Sequence, residues 1–242
     1  MTVLAWEGCL NVRDLGGHAT EDGVVTRPGV VVRADALGRL SDAGWQALVD
    51  YGIVRIVDLR LHDEREADPP RELPVELVHV QLVELDAEYR ELMNRHLDAA
   101  ADAAEYLRWS YVDFTERFAS NFVAAVRAVA TAPGPALVHC VGGKDRTGLV
   151  VALLLRLAGV SRERIDADYA VSESNLDDQH WIDEAPDEVE AERRRKIVRS
   201  PAGVMAAVLE ELERRHGSVR DYLLASGATA EELDAVRERL RG

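Results

Sequence analysis

ALVHCVGGKDRTGLVV, residues 136–151, sets an apolar run, a glycine pair, a polar cluster and a second apolar run in immediate succession. The chain has two cysteines and two lysines, and one of each falls here, as Cys140 and Lys144; Arg146 follows six positions after the cysteine. "PGPALVHC" (133–140) reads as a turn and a short buried strand, whereas "RTGLVVALLLRL" (146–157) is apolar nearly all round and reads as a buried helix. The residues between them therefore form a strand-to-helix turn. In such a turn successive backbone N–H groups point inward, and the helix N-terminus adds free donors and the positive end of its dipole. Gly142 and Gly143 let the backbone curl tightly, because glycine takes positive φ at little cost. The product is an anion cradle sized for phosphate, built from Val141, Gly142, Gly143, Lys144, Asp145 and Arg146 with Cys140 at its floor. The field of such a cradle favours thiolate over thiol. Arg146 can clamp two phosphate oxygens with its planar fork, which lysine cannot do. A buried cysteine closing a strand would explain neither the glycines nor the cluster Lys144–Thr147.

Outward from this stretch, "GVVVRAD" (29–35), "IVRIVDLR" (53–60) and "VELVHVQL" (75–82) read as strands. "SDAGWQALVDYG" reads as a helix with Ser41 as N-cap and Gly52 as its stop, and residues 161–172 as another. Ser200-Pro201 predicts a capped helix running to about His216, and Thr229 with Glu232 predicts a capping box for a last helix. Strands interleaved with helices give an α/β class, a mostly parallel central sheet flanked by helices, with an added helical layer after residue 159. Segments 84–118 and 173–199 are the least sheet-like. The second reads either as a solvated helix with a partial apolar stripe or as a mobile cover over a pocket.

The 242 residues are expected to form one domain, 1–242, large enough to build its core without disulfides or metals. Two cysteines in a chain this long are no disulfide framework, and Cys9 reads as a small buried residue. The N-terminus shows no signal peptide and no apolar run reaches membrane-spanning length, so a cytoplasmic enzyme is the expectation. The net charge of −15 argues against nucleic acid and against stable membrane association, since both demand a basic face. No histidine or cysteine spacing suggests a metal, and no cofactor is implied.

"HCVGGKDRTG" resembles the H-C-x-x-G-K-D-R-T-G signature of bacterial tyrosine phosphatase family 3, the atypical cysteine phosphatases. "NVRDLGGHATEDGVVTRPGVVVRADAL" (11–37) resembles the family's N-terminal block, "GIVRIVDLR" its second strand, "DADYAVSESN" its D-Y-x-x-S-N segment, and residues 216–240 its C-terminal helices. Departures are small: the D-Y segment is altered in spacing, and Val141-Gly142 stands where bulkier residues are common. The resemblance implies a cysteine-phosphatase-like fold with lid segments at 84–118 and 173–199. It implies hydrolysis of a phosphorylated protein or a phosphoinositide through a phosphocysteine, with phosphotyrosine the leading substrate and Ser/Thr activity also open. An arsenate reductase or sulfurtransferase, or an inactive phosphate-binding module, is the alternative.

On that reading Cys140 is the nucleophile, Arg146 and the loop N–H groups hold the phosphoryl oxygens, and Thr147 donates to the sulfur as it leaves. His139 orients the loop. Asp58, at the end of its strand, matches a family aspartate and is the first choice for protonating the leaving oxygen; a structural partner of Arg60 or Arg33 is the competing reading. Asp145 resembles the family's loop aspartate, as acid or as positioner of water, while Asp86 and Asp113 are outsiders. Lys144 is expected to contact a second anionic group on the substrate, Arg13 and Asp14 to form a structural ion pair, and Arg193–Lys196 to be a solvated helix face, with lipid-headgroup contact as the alternative.

Overall fold

In the computed structural model, which describes residues 2–72, 74–176 and 179–242, the chain opens with β1 (Thr2–Val3), β2 (Arg13–Asp14) and β3 (Val31–Ala34). Next come α1 (Asp42–Asp50), β4 (Arg55–Asp58), α2 (His62–Ala67) and β5 (Glu76–His79). Helices α3 (Ala87–Ala99), α4 (Ala103–Arg117) and α5 (Ala119–Ala130) lead to β6 (Ala136–His139). The elements that follow are helices: α6 (Asp145–Leu157), α7 (Arg162–Asn175), α8 (Gln179–Asp183), α9 (Glu188–Val198), α10 (Val204–His216), α11 (Val219–Ala225) and α12 (Ala230–Arg241).

The sheet order is β1-β2-β3-β6-β4-β5. The last four strands in that order run parallel, and β1 and β2 are antiparallel additions. The mostly parallel α/β sheet expected from the sequence is the observed one. Alternation along the strands sorts the core by face. Val31, Val57 and Val138 join the large cluster under α3–α7 and α10–α12, whereas Val32, Ile56 and Leu137 join a smaller one with Trp45 and Leu48 of α1. The central strand β6 places His139 level with Ala34 on one side and Asp58 on the other. Cys140 therefore leaves the sheet at the carboxyl ends of parallel strands, the edge where α/β sheets bind ligands.

Local signals hold where a side chain caps its own helix. Ser41 accepts from Gly44 N ahead of α1, and Gly52 beyond it takes φ +86°. Thr229 and Glu232 form the reciprocal capping box of α12. The cap expected at Ser200-Pro201 is a correction: α10 starts at Val204 after Gly203, and its first N–H groups are taken from a distance. The Asp166 carboxylate of α7 accepts from Gly203, Met205 and Ala206 at 2.6, 2.9 and 3.2 Å, and an anion there complements the helix dipole.

Candidate active site

The turn after β6 is held from outside by its carbonyls. Those of Val141, Gly142 and Gly143 accept from Ala36 N at 2.7 Å, Asn11 Nδ2 at 3.0 Å and Arg33 Nη2 at 2.6 Å. His139 Nδ1 lies 3.1 Å from the Cys140 carbonyl, which only accepts, so that nitrogen carries the proton. A carbonyl and the N–H of the same peptide plane point in opposite directions. With the carbonyls engaged on the outside, the N–H groups of residues 141 to 144 point the opposite way, and Cys140 at the start of the turn is 2% exposed. Gly143 is required twice over, because it has φ +62° and an added Cβ would lie 2.4 Å from the Ala34 carbonyl oxygen.

A buried ion network shapes this turn. Asp168 of α7 binds Arg13 Nε at 2.9 Å and Arg33 Nη1 at 2.5 Å, and all three residues are 3% exposed or less. Burial works against the Asp168 charge, but Arg33 and Arg13 outweigh it and hold the carboxyl down at about 2. Burial and the neighbouring Arg13 lower Arg33 to about 10. The expected Arg13–Asp14 ion pair is a correction. Arg13 turns to Asp168, while Asp14 accepts from Gly29 N at 2.6 Å, from Gly16 N and from the Tyr51 hydroxyl. Adjacent strand residues point to opposite faces, which separates the two charges. Cys9 is half-buried, and burial first and Asp35 second push its thiol up.

Arg146 reaches back from the first turn of α6 to Glu64 of α2, Nη1 to Oε2 at 2.5 Å and Nη2 to Oε1 at 2.8 Å. This two-pronged pair fixes the plane of the guanidinium. Burial lowers the Arg146 pKa, and the charges of Cys140 and Glu64 reverse that and raise it. Glu64 was not among the residues anticipated from the sequence, and nothing in the local pattern links it to a loop 82 residues away. Thr147 is fully buried, and its Oγ1 has no hydrogen-bond partner among the described residues.

Asp145 and Asp58 occupy contrasting settings. The Asp145 side chain is 38% exposed and its Oδ1 accepts from the Tyr111 hydroxyl, with Lys144 Nζ 3.3 Å away. Tyr111 is in turn 2.9 Å from the Tyr169 hydroxyl, and burial pushes its phenol well above the ordinary range. Asp58 is 0% exposed, and both of its oxygens are engaged by Arg60, at 3.0 and 2.9 Å, with Arg65 at 3.1 Å. Burial disfavours its charge, yet Arg60 and His139 bring its pKa below the usual carboxylate value. Both oxygens of Asp58 are thus held by arginines, the contact that the competing structural reading describes. Asp86 caps α3 by accepting from Tyr89 N, and Asp113 accepts from the Tyr89 hydroxyl.

Lys144 also departs from expectation. It is 3% exposed, and its ammonium donates to the carbonyls of Ile197 at 2.5 Å and Arg199 at 2.9 Å, so it holds the end of α9. The basic run is not a free helix face. Arg193 pairs with Asp98 and Arg195 with Glu188, Arg194 lies over the Trp181 ring at 4.8 Å, and Lys196 donates to the Ala100 carbonyl at 2.7 Å. Beneath α9, a cavity of about 180 Å³ opens beside Asp145, Arg146 and Glu64, walled by Leu61, Val83, Leu85, Met93, Phe114 and Ile197. The walls come from both segments expected to cover the site.

A family model described as "Tyrosine phosphatase family" matches residues 4–242. A tyrosine-protein phosphatase of Nostoc commune is 31% identical over 224 residues, covering 86% of this chain and 73% of that protein. The "triple specificity protein phosphatase PtpB" of Mycobacterium tuberculosis is 29% identical over an alignment of 280 positions that spans the whole of both chains. With a cysteine and a clamped arginine on one strand-to-helix turn, and a match along nearly its entire length, the chain belongs to the tyrosine phosphatase family and is a hydrolase.

Proposed function

We propose that this phosphatase hydrolyses aryl phosphomonoesters, phosphotyrosine foremost, through a phosphocysteine and without a metal. The observation that carries the reading is a buried cysteine at the start of a turn whose carbonyls are engaged from outside, with Arg146 held in plane by Glu64 at the edge of an apolar cleft. The Cys140 thiolate attacks phosphorus, and the bond from phosphorus to the leaving oxygen breaks. The loop N–H groups and Arg146 stabilise the charge on the three equatorial oxygens. Asp145 delivers a proton to the leaving oxygen, its Oδ1 fixed by Tyr111 so that the other oxygen serves the cleft. Water then attacks the phosphocysteine, Asp145 takes a proton back, Thr147 stabilises the departing sulfur, and phosphate leaves.

The apolar walls suit an aromatic leaving group, and a cavity of about 180 Å³ has room for one ring. Phosphoserine and phosphothreonine would leave those apolar walls unfilled, whereas a phosphoinositide headgroup would require a wider entrance. On this reading α8 and α9 form a lid, and Lys144 is the tie that must release for it to open. The "triple specificity" in the name of the mycobacterial relative favours including those substrates in a panel.

Two experiments test the reading. Phosphate release from p-nitrophenyl phosphate in EDTA persists in the wild type and falls about 10⁴-fold or more in Cys140→Ser. Dependence on added metal, or an active Cys140→Ser enzyme, rejects the proposal. For the proton, Asp145→Asn slows esters of poor leaving groups at least about tenfold more than p-nitrophenyl phosphate, because a good leaving group needs no acid. Asp58→Asn acts through stability and leaves that ratio unchanged; the opposite pattern returns the role to Asp58.

A further inference from the structure

A second cavity lies away from the catalytic cleft and plays no part in the reaction just described. It measures about 300 Å³ and is walled by Leu37, Trp45, Ile56, Pro70, Val75 and Leu77, with Arg60 and His139 beside them and Arg71 and Asp68 among its polar groups. Trp45, Ile56 and Leu37 belong to the smaller apolar cluster, whereas the catalytic cleft is cut into the larger one, so the sheet separates the two. Interiors are normally packed as densely as organic crystals, and a concave apolar site of this size is what small-molecule sites look like. It lies beside the carboxyl ends of β4 and β6, where ligands enter parallel sheets.

The polar groups choose the ligand. Arg60 is 3% exposed, and its Nε and Nη2 donate to Asp58 while Nη1 donates to the Asp68 carbonyl and carboxylate. A guanidinium has five N–H groups, so one on Nη2 is left over. Asp58 is met by Arg60 and by Arg65, and Asp68 by Arg60, so the two carboxylates face two guanidiniums and add no unopposed negative charge. Arg71 sits 5.9 Å from the Trp45 ring and, among the described residues, pairs with Asp42 alone, in a contact whose side chains are 50% and 91% exposed. Such exposed pairs hold weakly and exchange partners readily. The cavity therefore combines apolar walls, an aromatic face and two arginines with donors to offer.

We propose that this cavity binds a small aromatic carboxylate, its ring among Trp45, Ile56 and Leu77 and its carboxylate on Arg71. The site is independent of the catalytic assignments. The test is calorimetric titration of the full chain with 2-naphthoate while saturating inorganic phosphate occupies the catalytic loop. The expected result is a single site with a Kd of about 0.1–1 mM, the range ligand efficiency allows for so small a molecule. Binding should weaken about tenfold in Arg71→Gln, at a half-exposed position that leaves folding undisturbed, and about tenfold with 2-naphthamide as ligand. Leu77→Trp, which fills the cavity from the sheet edge, should abolish it. Loss of binding on adding phosphate, equal affinity for the amide, or indifference to both substitutions overturns the proposal.

Discussion

Arg146→Lys lowers kcat/KM for aryl phosphates by about 10³-fold, the scale of losing aligned transition-state donors. Charge is conserved in this exchange, so the loss comes from geometry. The guanidinium presents two parallel N–H groups, whereas an ammonium is a point charge on a flexible stem. Glu64 sharpens the contrast, because it holds the guanidinium plane through two oxygens before any substrate arrives. A lysine at 146 would be drawn to Glu64 and leave the phosphoryl oxygens short of donors. Steady-state kinetics with p-nitrophenyl phosphate check this. The fall should appear in kcat as well as in KM, since the equatorial oxygens gain charge as the transition state forms.

Asp168→Ala destabilises the protein by about 3–5 kcal/mol, the usual consequence of stripping the partner from buried charge. Two arginines depend on this one carboxylate, and Arg33 also donates to the Gly143 carbonyl. Chemical unfolding should show the loss, and the surviving folded fraction should bind vanadate weakly because the turn has lost a tie. The same carboxylate predicts acid behaviour. Its folded pKa of about 2 lies below the ordinary value of about 3.9, so its contribution is complete above about pH 4 and disappears as pH falls through about 2. Wild-type stability should fall by roughly 2–3 kcal/mol across that window from this group alone. Asp168→Ala should lack that part of the slope, and an unchanged slope would place the acid sensitivity elsewhere.

The parts of the molecule legible from sequence are those whose physics is local. Cys140, Gly143 and Arg146 lie within one strand-turn-helix unit, so their spacing already describes the turn; Gly142 beside them has neither a positive φ nor a blocked Cβ. Ser41 and Thr229 announce their helices because the capping side chain stands beside the N–H groups it satisfies. Where the deciding partner is remote, the reading fails. Ser200-Pro201 loses α10 to Asp166, which no helix-start rule would consult. Arg13 prefers Asp168 across 155 residues to the adjacent Asp14, because burying one arginine calls for the nearest carboxylate in space. Glu64 and Tyr111 bind site residues through contacts that only the folded sheet creates. Lys144 lies in the same short loop, yet its flexible side chain reaches the carbonyls at the end of α9.

On the proposed mechanism the phosphoryl group passes through Cys140. The most direct test is to mix enzyme with p-nitrophenyl phosphate, quench in acid during turnover, and map the phosphoryl group by peptide mass. The expected result is an adduct of about 80 Da on the peptide carrying Cys140, formed in the wild type and missing from that position in Cys140→Ser. A phosphoryl group on any other residue, or a Cys140→Ser enzyme releasing phosphate at the wild-type rate, would contradict it.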